Sequence, residues 1–186
     1  MSITAEIVIA LVAGVIIGAA FSYLLQRSRS IRLRDRFGPE YSRAVTETGD
    51  RWKAEAELKR RAKRVERLRI RGLEPNERRR FVDAWKDVQA RFIDDPEGTL
   101  VEADRLVGSV MSAEGYPVGD FEQRAADISV EHPRVVDNYR AAHQVALRHG
   151  ESKVATEDLR RAMIHYRTLF EELVGEPEFS TTGGTV

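Results

Sequence analysis

The stretch Ile7 to Leu25, "IVIALVAGVIIGAAFSYLL", constrains this chain more than any other. Its nineteen residues include no Asp, Glu, Lys or Arg, and only Ser22 and Tyr23 bring polar groups. At 1.5 Å of rise per residue such a helix is ~28 Å long, close to the hydrocarbon thickness of a bilayer. A soluble domain of this size does not need a helix that is apolar all round. The rival reading is a cleaved signal peptide, which begins with a basic region. This chain begins "MSITAE", with an acid and no base, and its positive charge follows the run instead. Arg27, Arg29, Arg32, Arg34 and Arg36 stand there against one acid, Asp35. A basic flank of this kind stays in the cytoplasm. The sequence therefore predicts one retained transmembrane helix, with a short N-terminus outside and the bulk of the chain in the cytoplasm.

Within the run, Ala10, Gly14, Gly18 and Ser22 recur every four residues and form one small-residue face. Gly14 and Gly18 have the GxxxG spacing that lets a second helix approach closely. The expected contact is a copy of the same chain or another membrane protein. The five arginines serve first as a topology signal and interfacial anchor. Contact with anionic lipid heads is the sharper alternative, at about 1 kcal/mol for each basic residue near the surface.

Beyond the anchor, about 150 of the 186 residues remain, enough for one domain with a core. There is no cysteine, which excludes disulfides, thiolate nucleophiles and Cys-ligated metals. The 30 basic and 30 acidic residues balance overall but not locally. Residues 1–80 hold 19 basic and 10 acidic groups, and residues 81–186 hold 11 and 20. The partner-relevant quantity is this asymmetry, not the zero net charge.

Pro39 to Arg69 has the composition of a basic helix, with Glu55–Lys59 and Glu57–Arg61 at the favourable four-residue spacing. Leu58, Ala62 and Val65 make an apolar seam with Leu68 at its edge. Tyr41, Val45, Thr48 and Trp52 extend a broken stripe, interrupted near Gly49-Asp50. The heptads are too short for a coiled coil. Residues 51–80 carry 13 basic and 5 acidic groups, but no zinc-finger spacing, RNA-binding sheet motif or clear helix-turn-helix accompanies them. Nucleic acid is not the expected partner.

Helical segments follow. In the first, Phe81, Trp85, Val88 and Phe92 form an apolar stripe. In the second, Asp95 before Pro96 reads as a cap, Leu100 to Met111 as a wide apolar face, and Gly115 as the stop. A shorter helix from Asp120 turns Phe121, Ala125 and Ile128 inward. Pro133 opens another through Arg148, buried along Val136, Tyr139, Ala142 or His143, and Ala146 with Leu147, and ended by Gly150. The last starts at a Thr156 cap, with Leu159, Met163, Tyr166, Phe170 and Leu173 inward and Gly175 as its end. No strand alternation is convincing. The expected fold is all-α: a transmembrane anchor over residues 1–26, a basic juxtamembrane region and connecting helix over 27–72, a compact bundle of about four or five helices over 73–174, and a disordered tail over 175–186.

The stretch Tyr116 to His143 gathers acids, arginines, tyrosines and two histidines, so it is the place to look for chemistry. His132 and His143 are eleven residues apart, ~16 Å along a straight helix, too far to share one metal. No HExxH, EF-hand loop, serine-nucleophile elbow or phosphate-binding glycine loop is present. Asp120 reads as a cap, and Glu122, Asp127 and Glu131 are expected to pair with Arg124, Arg134 or Arg140. No catalytic residue, metal or cofactor is expected. If the bundle does hold a ligand, Glu122, Tyr139, Arg140 and His143 are the first candidates.

The phrases "ARFIDDP", "GYPVGDFEQRAADISVEHPRVVDNYRAAH" and "ATEDLRRAMIHYRTLFEELV" resemble an uncharacterised family of bacterial proteins with an N-terminal membrane segment and a helical soluble region. The resemblance covers roughly residues 35–174 and rests on whole phrases. It implies a bacterial source, hence the inner (cytoplasmic) membrane, and the same anchored architecture. It brings no activity with it. The function expected is a membrane-tethered protein-interaction or scaffolding module, not an enzyme, with a membrane protein, a cytoplasmic protein or a second copy as partner. The alternative is a small-ligand sensor or enzyme with a pocket among the C-terminal helices.

Overall fold

The structure is a computed structural model that describes residues 3–148 and 155–175. In its first helix, side chains are described from Gly14 onward, leaving out Val15, Ala19, Ser22, Leu25, Gln26 and Arg29. The packing roles of Ala10 and Ser22, the lipid contact of Arg29, the Gly150 stop and the tail beyond Gly175 therefore lie outside the described residues. All regular structure among the described residues is α-helical. The chain divides into two compact units, residues 1–58 and 59–186.

In the first unit, α1 (Ile3–Phe37) runs unbroken from the uncharged stretch into the arginine flank. Among the residues whose side chains are described, no helix is long and apolar enough to cross a membrane. Most of Ile7–Leu25 lies outside that set. Gly38, at φ 47°, turns the chain, and Pro39 opens α2 (Pro39–Thr48) at the position where its missing N–H costs nothing. The interruption expected at Gly49-Asp50 is present: Gly49 adopts a left-handed φ of 63°. The Asp50 carboxylate then accepts from the N–H groups of Trp52 and Lys53 at 2.7 and 3.2 Å, and α3 (Arg51–Val65) begins. Phe37, Tyr41, Ala44, Ala54 and Leu58 are buried. Trp52 is not: it is 65% exposed. The left-handed residue at the break resets the helical phase, so the stripe begun at Tyr41 does not carry through.

In the second unit, α3 ends with Ala62 and Val65 buried. A capping box between Glu74 and Glu77 starts α4 (Pro75–Arg91), which buries Trp85 and Val88 and half-buries Phe81; Phe92, just past its end, is half-buried too. Asp95 caps α5 (Pro96–Glu114), its carboxylate accepting from Gly98 N–H at 2.9 Å. Gly115 ends α5 at φ 101°, where an added Cβ would stand 2.6 Å from the Arg69 carbonyl oxygen. Only glycine fits both that backbone and that space. Asp120 caps α6 (Phe121–Glu131) through Gln123 N–H at 2.8 Å.

A short turn over Pro133 to Val135 delays α7 (Val136–Leu147) relative to the sequence expectation. Val136, Tyr139 and Ala142 are buried in it, whereas Leu147, expected inside, is 58% exposed at its last residue. The cap of α8 (Thr156–Val174) is Ala155, without a side-chain hydrogen bond, so Thr156 is the first helical residue and not the cap. The expected stripe from Leu159 to Leu173 is buried. Helices α4, α5, α7 and α8 pack around one core, α8 against both α5 and α7. Trp85 of α4 stacks on Phe170 of α8 at 4.7 Å between ring centroids. Side chains of this size stabilise by about 1.5–3 kcal/mol each when removed from water.

Candidate functional site

The core of the second unit is not wholly apolar. Asp104 on α5 is partly buried, its side chain 22% exposed, at the margin of the core where α6, α7 and α8 each contribute a polar group. Tyr166 donates its hydroxyl to Asp104 Oδ1 at 3.0 Å. Arg124 lies 3.9 Å from Asp104 Oδ2, and its Nε donates to the Tyr139 hydroxyl at 3.1 Å. His143 Nδ1 is 3.6 Å from Asp104 Oδ1, beyond a hydrogen bond, and is buried without a hydrogen-bond partner. The His143 ring stacks flat on Phe121, centroids 3.6 Å apart, and Tyr139 meets Phe121 at a tilt.

Both tyrosines are fully buried. Burial pushes the Tyr139 hydroxyl up to about 12, the Asp104 charge adding to it and Arg124 opposing it. Burial and the same carboxylate also drive Tyr166 far upward. Both hydroxyls therefore stay protonated and serve as donors or acceptors, not as bases.

Of the four ligand candidates, the structure brings Tyr139 and His143 together. Glu122 points to solvent. Arg140 pairs with Asp137 on its own helix at 3.4 Å. Sequence reasoning missed Asp104, Arg124 and Tyr166 as a group. Asp104 and Tyr166 are 62 residues apart and each read as an ordinary helix position, so no local signal joined them.

Two further carboxylates are held by arrangements that local spacing did not suggest. Asp127, expected to pair within its own segment, takes Arg64 of α3 at 3.0 Å and Gln123 at 2.9 Å. His132, at the end of α6, lies 3.1 Å from Glu172. Among the described residues no cluster of His, Asp or Glu could hold a metal ion.

The first unit has its own buried carboxylate. Glu55 of α3 accepts from Ser30 at 2.6 Å, Tyr41 at 2.9 Å and Arg51 at 3.1 Å. Burial pushes its carboxyl up, but the three hydrogen bonds together outweigh that and leave it below the usual carboxylate value. Arg34 stands over the Tyr41 ring at 5.2 Å. Gly14 and Gly18 are exposed, and an added Cβ at either meets nothing within 4 Å.

Comparison with protein-family models, with curated proteins and with solved structures gives no match. Function must therefore be read from the chain itself.

Proposed function

We propose that this chain is a membrane-tethered protein-interaction or scaffolding module, held by one N-terminal transmembrane helix with its helical units in the cytoplasm. One observation carries the reading: the nineteen uncharged residues and the arginine flank belong to a single unbroken helix, Ile3–Phe37. An uncharged run of that length is stable in hydrocarbon, and the flank sets its direction. Gly14 and Gly18 offer a close-packing face for a copy of the chain or another membrane helix. The bundle supports the same reading, because the polar groups of Asp104, Arg124, Tyr139 and Tyr166 are spent on one another. Such a network fixes the relative positions of α5 to α8, which suits a rigid recognition surface. The bacterial inner membrane is the proposed location, and no enzymatic role is assigned.

Proximity crosslinking in native membranes tests the reading, with the span and its flank alone as control. One reproducible protein captured only when residues 37–174 are present is the expected result. Capture of lipid and background proteins alone would overturn the interaction reading and direct attention to a ligand of the bundle.

A further inference from the structure

Next to the apolar run, α1 and the first turn of α3 enclose a groove of about 400 Å³. From α1 it takes Tyr23, Arg27, Ile31 and Arg34. These follow spacings of four, four and three residues, so they lie on one helical face. Arg51 and Trp52 line the facing wall from α3. Glu55, the acid of the lining, is occupied by Ser30, Tyr41 and Arg51. The groove thus presents guanidinium groups beside exposed apolar surface: Tyr23 is 61%, Ile31 51% and Trp52 65% exposed.

Depth matches this chemistry to one occupant. Arg27 is two residues past Leu25, ~3 Å along the helix, and Arg34 is ~14 Å past it. The headgroup layer on each side of the hydrocarbon is ~5–8 Å thick. Tyr23 thus sits at the hydrocarbon edge and Arg27 within the headgroup layer, while Arg34 stands ~6–8 Å beyond it, where only a protruding charged head reaches. Aromatic side chains favour this boundary, and basic recesses there accept anionic heads.

We infer that the groove between α1 and α3 binds the phosphorylated head of an anionic phospholipid, with Arg27 and Arg34 on its charge and Tyr23 against its apolar part. The inference rests on the membrane reading above. It also separates the five arginines of the flank. Arg27 and Arg34 line the groove, whereas Arg32 and Arg36 are exposed and do not.

The test uses the full chain in vesicles of mixed phosphatidylcholine and phosphatidylglycerol, with bromine on the acyl chains of one lipid at a time. Trp52 is exposed beside the groove, and Trp85, the other tryptophan, is buried in the bundle core. Brominated phosphatidylglycerol is expected to quench Trp52 more strongly than brominated phosphatidylcholine at equal fraction. The pair Arg27→Gln and Arg34→Gln is expected to reduce that preference about thirtyfold, from the loss of two phosphate contacts at about 1 kcal/mol each. The pair Arg32→Gln and Arg36→Gln removes the same charge and is expected to change it less than about twofold.

Equal loss in both pairs would mean diffuse attraction and would overturn the site. Equal quenching by both lipids, in protein that floats with the vesicles and resists alkaline extraction, would overturn the site and leave the tether standing. Failure to float with either lipid would overturn both. Inorganic phosphate that abolishes the preference as well as vesicle lipid does would assign the groove to a soluble anion and refute the lipid.

Discussion

Glu114 closes α5 with its side chain 7% exposed, and its Oε2 has no hydrogen-bond partner. Burial raises its carboxyl from an ordinary 4.5 to about 7, against the opposing charges of Arg71 and Arg78. The sign follows from linkage. Below pH 4.5 the carboxyl is protonated in both the folded and the unfolded chain, and no penalty applies. Between 4.5 and 7 the unfolded chain ionises while the folded one keeps its proton, so stability falls as pH rises. Above 7 both are ionised and the full penalty remains. The gap corresponds to about 3 kcal/mol at most, and local relaxation around the charge reduces it to roughly 2. Glu114→Gln keeps the shape and removes the titration. Urea unfolding followed by Trp85 fluorescence, from pH 5 to pH 8, reads the difference between the two proteins. The variant is expected to gain roughly 2 kcal/mol relative to the natural chain across that range. Parallel stability curves would refute the argument, because they would mean that the folded state accepts the Glu114 charge without cost.

Other perturbations have equally definite outcomes. Asp104→Ala leaves Tyr166 without its acceptor and Arg124 without its nearest carboxylate, so equilibrium unfolding should show a loss of about 2–3 kcal/mol, while Tyr166→Phe should lose about 1. Arg64→Ala strips the ion pair from an Asp127 side chain that is 1% exposed, and should cost more than the double replacement Arg64→Met with Asp127→Leu when both are measured by urea titration. Gly115→Ala forces a Cβ against the Arg69 carbonyl at a left-handed backbone, and thermal unfolding should report a loss above about 1 kcal/mol.

The helices were largely legible because their signals are local. Asp95-Pro96 and Asp120 cap where their spacing says they should, and Gly49 and Gly115 stop helices with the positive φ that their neighbours cannot adopt easily. The stripes of α5 and α8 repeat every three or four residues and are buried accordingly. What the sequence concealed is what forms between distant segments. Asp127 has three arginines nearby in sequence, yet it takes Arg64, because packing and not sequence proximity decides which guanidinium reaches it. Asp104 and Tyr166 carry no motif, and their hydrogen bond exists only once α5 and α8 are packed. Trp52 escapes its stripe for a different reason: the left-handed Gly49 between Thr48 and Trp52 changes the helical phase, so Trp52 turns outward. His143 is legible as part of a polar group with Tyr139, whereas Glu122 and Arg140 share with it only proximity in sequence.

The tether and its direction are the central claim, and the absence of cysteine makes them directly measurable. Ser2→Cys and Ser109→Cys, each the sole thiol in its protein, would be exposed to a membrane-impermeant maleimide in intact cells and again after lysis. The account predicts labelling of position 2 in intact cells and labelling of position 109, on the exposed side of α5, only after lysis. Labelling of position 109 in intact cells, or recovery of either protein in the soluble fraction, would contradict it.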